Sequence, residues 1–194
     1  MIKIPKQYAL SLTFSAAITA LCLSISVSAS TSISTVCGFG ANVRFNESAP
    51  RDSFLISNTS ASDWIISTLS LDMSNSAGNL IFDVTADGAG VEVFQPFRAD
   101  DGAASLKEQP EVLDGDQLLV LALSGFSQGV DYRFTIDVDD QLADSELGQI
   151  RVAASEMSGA ELTLDIQSAT GDSATLTGVF DDTNRVVFES NACA

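Results

Sequence analysis

The stretch Tyr132-Arg133-Phe134-Thr135-Ile136-Asp137-Val138-Asp139 decides the fold class. Phe134, Ile136 and Val138 fall on one side of an extended chain, and Arg133, Thr135, Asp137 and Asp139 on the other. A period of two belongs to a strand with one buried and one wet face, the pattern of antiparallel sheets. Leu162, Leu164 and Ile166 repeat it against Glu161, Thr163 and Asp165. Outward from these two segments, short apolar runs recur at Phe54–Ser57, Trp64–Met73, Leu80–Val84, Val91–Phe94, Gln117–Leu123, Gln149–Ala153, Ala174–Phe180 and Val186–Glu189. Ile65, Leu69, Leu71 and Met73 are expected on one face of their strand, with Ser70 and Asp72 on the other. Leu118–Leu123 is apolar on both faces and reads as a central strand, while Trp64 and Tyr132 read as core or sheet-edge residues. About ten closely spaced strands, joined by Gly, Asp, Asn and Ser, predict an all-β fold: a single antiparallel β-sandwich of jelly-roll type. Residues 97–116 read as a long polar connection and Gly88-Ala89-Gly90 as a turn.

The chain begins with a basic stretch containing Lys3 and Lys6, then a mostly apolar run from Tyr8 to Val27, then Val27-Ser28-Ala29-Ser30. That order predicts a helical secretory signal peptide over residues 1–29, cleaved after Ala29, and one acidic domain over 30–194. The expected location is secreted or extracellular, with the periplasm and the cell surface as the other exported destinations. An uncleaved anchor is the competing reading, but Ser and Thr dilute the run. No later segment is long and apolar enough to span a bilayer, so no membrane attachment is expected after cleavage.

The formal charge is −17, and loss of Lys3 and Lys6 leaves seven basic residues against 26 acids, or −19. Nonspecific nucleic-acid binding needs cationic side chains to displace phosphate counterions, so it is excluded as a function. Anionic lipid surfaces are disfavoured for the same reason. Cys37 and Cys193 remain after cleavage, and an even count in an exported chain predicts a disulfide between them. Closing a loop of about 155 residues would stabilise the fold by roughly 4–5 kcal/mol.

The chain has no histidine. A Ser-His-Asp or Cys-His arrangement is therefore impossible, and the commonest general base is absent. Lys107 is the one lysine left after cleavage, and no nucleophile motif surrounds it. Paired carboxylates could run glycoside hydrolysis, but 26 acids generate such pairs by chance. Calcium, which takes six to eight oxygens, fits the residue types better. The candidate ligands are Asp137, Asp139, Asp140 and Asp144, with Glu146 close behind. On a regular strand the Asp137 and Asp139 carboxylates would lie roughly 7 Å apart on one face, where a shared cation would relieve their repulsion. Secondary clusters are Asp100-Asp101, Asp114-Gly115-Asp116, Asp83 with Asp87, and Asp181-Asp182. The competing reading is a solvated acidic face with turn-forming aspartates. No EF-hand is present, because Leu142 stands where that loop needs Gly.

Ser57-Asn58-Thr59-Ser60, Asn79-Leu80-Ile81-Phe82-Asp83, Val91-Glu92-Val93-Phe94, and above all Leu123-Ser124-Gly125-Phe126 followed by Val130 to Asp140, form a recognisable series. With Gly159 to Leu164 and Leu176 to Phe180, it resembles bacterial secreted proteins that are similar to the marine sponge aggregation factor core protein. The resemblance covers roughly residues 50–185 and implies an extracellular β-rich module associated with calcium-dependent cell adhesion. Asp137, Asp139 and Asp140 are the positions it carries over, as ion ligands. The expected function is a non-enzymatic adhesion or matrix-type binding module, with self-association or a cell-surface or matrix partner. The alternatives are a structural surface component without a specific ligand and a carboxylate-based glycoside hydrolase.

Overall fold

Every strand pairing among the described residues is antiparallel. The computed structural model describes residues 36–193 except 101 and 103, so the expected signal peptide lies outside the described residues. The strands are β1 (Gly40–Asn46), β2 (Ser53–Asn58), β3 (Trp64–Asp72), β4 (Ile81–Asp83), β5 (Arg98–Ala99), β6 (Ser105–Leu106), β7 (Leu118–Ser124), β8 (Asp131–Thr135), β9 (Asp137–Asp139), β10 (Glu161–Ser168), β11 (Ser173–Val179) and β12 (Arg185–Glu189). One helical turn, α1 (Ala154–Met157), interrupts them. One sheet runs β12-β1-β2-β8-β5, a second runs β11-β10-β3-β7-β6, and β4 pairs with β9 alone. The nearly all-β, antiparallel character expected from the alternation is present, in an arrangement compatible with a sandwich.

The inward residues of both large sheets meet in one apolar core. Ala41, Val43 and Phe45 of β1 and Phe54 and Ile56 of β2 join Ile66, Leu69 and Leu71 of β3 and Leu162, Leu164 and Ile166 of β10. Aromatic rings bridge the sheets, with Phe39 edge-on to Trp64 at 6.4 Å and Phe54 edge-on to Phe180 at 6.4 Å. The sheets also approach along one side, where β11 passes β12. An ideal Cβ on Gly178 would overlap the Val186 side chain and lie 3.0 Å from Phe188 Cζ, so glycine sets how close these edges come.

Cys37 and Cys193 form the expected disulfide, with Cα atoms 4.9 Å apart. It lies at the end of the body where Trp64 Nε1 donates to the Cys37 carbonyl at 2.8 Å. Buried Asn58 anchors the same end. Its Nδ2 donates to the carbonyls of Trp64 (2.9 Å) and Phe126 (3.1 Å), and its Oδ1 accepts from the Ser60 amide and hydroxyl.

Four expectations change. In β3, Trp64 and Ile66 point inward while Ile65 is exposed, because the register against β10 shifts between Asp165 and Ile166 and leaves Ser67 without a partner. A bulge of one residue moves the preceding side chains to the other face. In β7, Leu118 and Val120 are 50% and 49% exposed, so the strand is buried on one face only and its sole outer neighbour is the short β6. Val91–Phe94 is not a strand, since Glu92 adopts φ 61° and breaks the extended path. Gln149–Ala153 is not one either: Ala153 donates to Glu156 Oε2 at 2.6 Å, turning the chain into α1. β1 was absent from the expected strands.

Candidate functional site

The alternating stretch from Tyr132 to Asp139 is broken in the middle, and the break builds the site. β8 stays on β2 as far as the pair Ser53↔Thr135, where β2 begins. Beyond that point Asp52 serves the amides: its carbonyl accepts from Ile136 at 3.0 Å and its Oδ2 from Val138 at 3.1 Å. The chain then leaves the large sheet and pairs with β4, setting Asp83 opposite Asp137 and Ile81 opposite Asp139. All three residues of each short strand are buried. The wet face expected for Asp137 and Asp139 is therefore not wet: both are 0% exposed, as is Asp140.

Asp83 and Asp114, expected in separate minor clusters, join Asp137 and Asp139 here. The loop from Val84 to Gln95 closes over them. Val91 donates to Asp139 Oδ2 at 2.6 Å, Val84 and Thr85 donate to Asp114 Oδ1 at 2.9 and 3.1 Å, and Ala89 donates to Asp114 Oδ2. Gln95 ties the loop to both short strands, donating to the Asp83 carbonyl at 3.2 Å and accepting from the Asp137 amide at 3.1 Å. Gly90 lies directly against the acids; a Cβ there would overlap Oδ2 of both Asp83 and Asp139. A Cβ on Gly88 would overlap the Asp114 carboxylate.

Burial without counter-charge sets the electrostatics. Burial is the largest cause that pushes the Asp137 carboxyl up to about 8, and the charges of Asp139, Asp52 and Asp83 add to it. Asp83 rises to about 7 through burial, a hydrogen bond with Asp114 and the charge of Asp139. Burial takes Asp52 to about 7 against hydrogen bonds from the Ser48 and Val138 amides, and Asp139 to about 6 against the Val91 amide. Burial also acts on Asp114, but the amides of Ala89, Val84 and Thr85 outweigh it and hold that carboxyl below its ordinary value. Of the two ion pairs among the described residues, Arg133 with Asp100 and Arg151 with Glu47, only the second acts on the cluster, through Asp52 at its edge.

These side chains divide by how well they are satisfied. Both Asp52 oxygens and both Asp114 oxygens accept backbone amides. Both Asp137 oxygens, Oδ1 of Asp83 and Asp139, Oδ2 of Asp140 and Nε2 of Gln95 are buried with no hydrogen-bond partner. Asp140 Oδ1 accepts from Leu142 at 2.9 Å. Asp144 is exposed in a turn and is not brought to the cluster. Asp87 is exposed, Asp116 and Asp181 cap their own turns, and Asp101 lies outside the described residues. Glu146 Oε2 accepts from Ser155, while the buried Glu156 carboxylate accepts from the Glu146 and Ala153 amides.

Comparison with known proteins gave no match, whether to family models, curated sequences or solved structures.

Apart from Gln95 Nε2, the unpartnered atoms of the cluster are hard carboxylate oxygens, the donor class of calcium and magnesium rather than of zinc or copper. Among the described residues, no three acidic, histidine or cysteine side chains yet stand at coordinating geometry around one point. The cluster supplies the donors, and coordination would require its carboxylates to turn. Sequence reasoning missed Asp52, Gln95 and Gly90 as parts of this site.

Proposed function

We propose that the chain is an exported, non-catalytic binding module of the adhesion or matrix type, calcium-dependent, on a β-sandwich of jelly-roll kind. The observation that carries this reading is the sealing of the acidic cluster, with Asp137, Asp139 and Asp140 all at 0% exposure. A carboxylate pair that hydrolyses a glycoside must touch the glycosidic oxygen and a water, so acids closed off from solvent favour an ion over a polymer substrate. Export is supported by the leader-like residues 1–29 and by a disulfide of the kind that persists in oxidising compartments. No helix among the described residues is long and apolar enough to cross a membrane.

Self-association or capture of a cell-surface or matrix partner fits such a module, because outer strands offer unpaired backbone groups. Light scattering of EDTA-treated protein, with and without added calcium, tests this. Calcium-driven assembly, reversed by chelator, is the expected result. Assembly indifferent to divalent ions would favour a structural surface component instead, and release of reducing sugar from a glycan panel would restore the hydrolase.

A further inference from the structure

We propose that Asp83, Asp137 and Asp139 form a divalent-cation site, calcium being the ion of choice, and that the ion latches the Val84–Gln95 loop onto the β4–β9 ribbon. This rests on the reading of the chain as a calcium-dependent module, and it takes the third ligand from Asp83 of β4 rather than from Asp140 or Asp144.

Three observations carry it. Antiparallel register puts Asp83 directly across from Asp137, and Asp139 follows two residues on, so the three carboxylates share one face of the ribbon. Four of their six oxygens are buried with no donor: both of Asp137, Oδ1 of Asp83 and Oδ1 of Asp139. A buried carboxylate without a partner is costly, and a metal ion is one of the few ways to satisfy several at once. The third observation is Gly90, whose bare Cα is all that the Asp83 and Asp139 Oδ2 atoms leave room for. The backbone of the loop therefore comes within coordinating neighbourhood of both acids, and an ion held there is gripped by ribbon and loop together.

The same bookkeeping of partners says which acids are not ligands. Asp114 and Asp52 spend their oxygens on amides and shape the walls. Asp140 follows the end of β9, one position off the alternation that aligns Asp137 with Asp139, and its Oδ1 accepts from Leu142, while Asp144 is out on the surface.

Calcium chloride is titrated by calorimetry into EDTA-stripped protein, as wild type and as D83N, D137N and D144N. Wild type and D144N are expected to bind one ion alike, while D83N and D137N bind at least about ten-fold more weakly, since affinity follows the charge of the ligand set. In EDTA, D137N should melt no lower than wild type, because neither Asp137 oxygen has a hydrogen-bond partner to lose; a purely structural aspartate would lower the midpoint. Calcium should also slow amide exchange at Val91 in the wild type. Binding that survives both D83N and D137N, or is lost in D144N, overturns this site while leaving a calcium-dependent module standing. Folded protein that takes up no calcium overturns both.

Discussion

Asn58 concentrates four hydrogen bonds in one buried side chain, closing the turn to Ser60 and Trp64 and reaching across 68 positions to Phe126. Asn58→Ala would strand the Trp64 and Phe126 carbonyls, at a cost of about 2–3 kcal/mol by urea unfolding. The aspartates at the opposite end behave differently, because their difficulty is charge rather than missing contacts. Asp52, Asp83, Asp137 and Asp139 titrate in the fold at about 7, 7, 8 and 6, above their ordinary value of 3.8. Groups raised by folding favour the native state when protonated, and that contribution is lost as pH climbs from near 4 through the folded values. Metal-free protein should therefore melt higher at pH 5 than at pH 8, and a midpoint that falls on acidification across this range would contradict the buried, unpaired state of these acids. Little of this was readable in advance. Asp137, Asp139 and Asp140 stand together in the chain, but Asp52, Asp83 and Asp114 reach them only through pairings that no local pattern encodes.

At the scale of elements, the legible strands were those whose side chains alternate without interruption. β10 buries Leu162, Leu164 and Ile166 and shows Glu161, Thr163 and Asp165 as its pattern demands. β3 defeats the same logic because Ser67 bulges out, and β8 with β9 because Asp52 takes over the amides where β2 begins. β1 alternates Ala41, Val43 and Phe45 inward, yet Gly40, Asn42 and Asn46 mask it, being residues that strands usually avoid. Gly178 makes the converse point. It looks like a flaw in β11, but it is where that strand slides past β12. Gly178→Ala should overpack Val186 and Phe188 and cost about 1–3 kcal/mol, read as a lowered melting midpoint; an unchanged midpoint would mean the two edges do not meet.

For the whole molecule, the cysteines close a loop of 156 positions around all the strands. Replacing Cys37 and Cys193 with serine should remove roughly 4–5 kcal/mol of stability, checked by denaturant melts of the variant against oxidised wild type. The sequence anticipated this bond, since Cys37 and Cys193 are the two cysteines outside the expected signal peptide. The sites lie at opposite ends: β2 starts directly after Asp52 of the acidic cluster and ends at Asn58 beside the disulfide end. The bond also decides how the body would bear tension. Cys37 precedes β1 and Cys193 follows β12, so a pull applied outside the two sulfurs runs through the covalent link and never loads a sheet. Only after reduction would stretching unravel the domain, releasing on the order of 500 Å of contour length. In the oxidised state the points of pull stay 4.9 Å apart at the Cα atoms, and the domain does not lengthen.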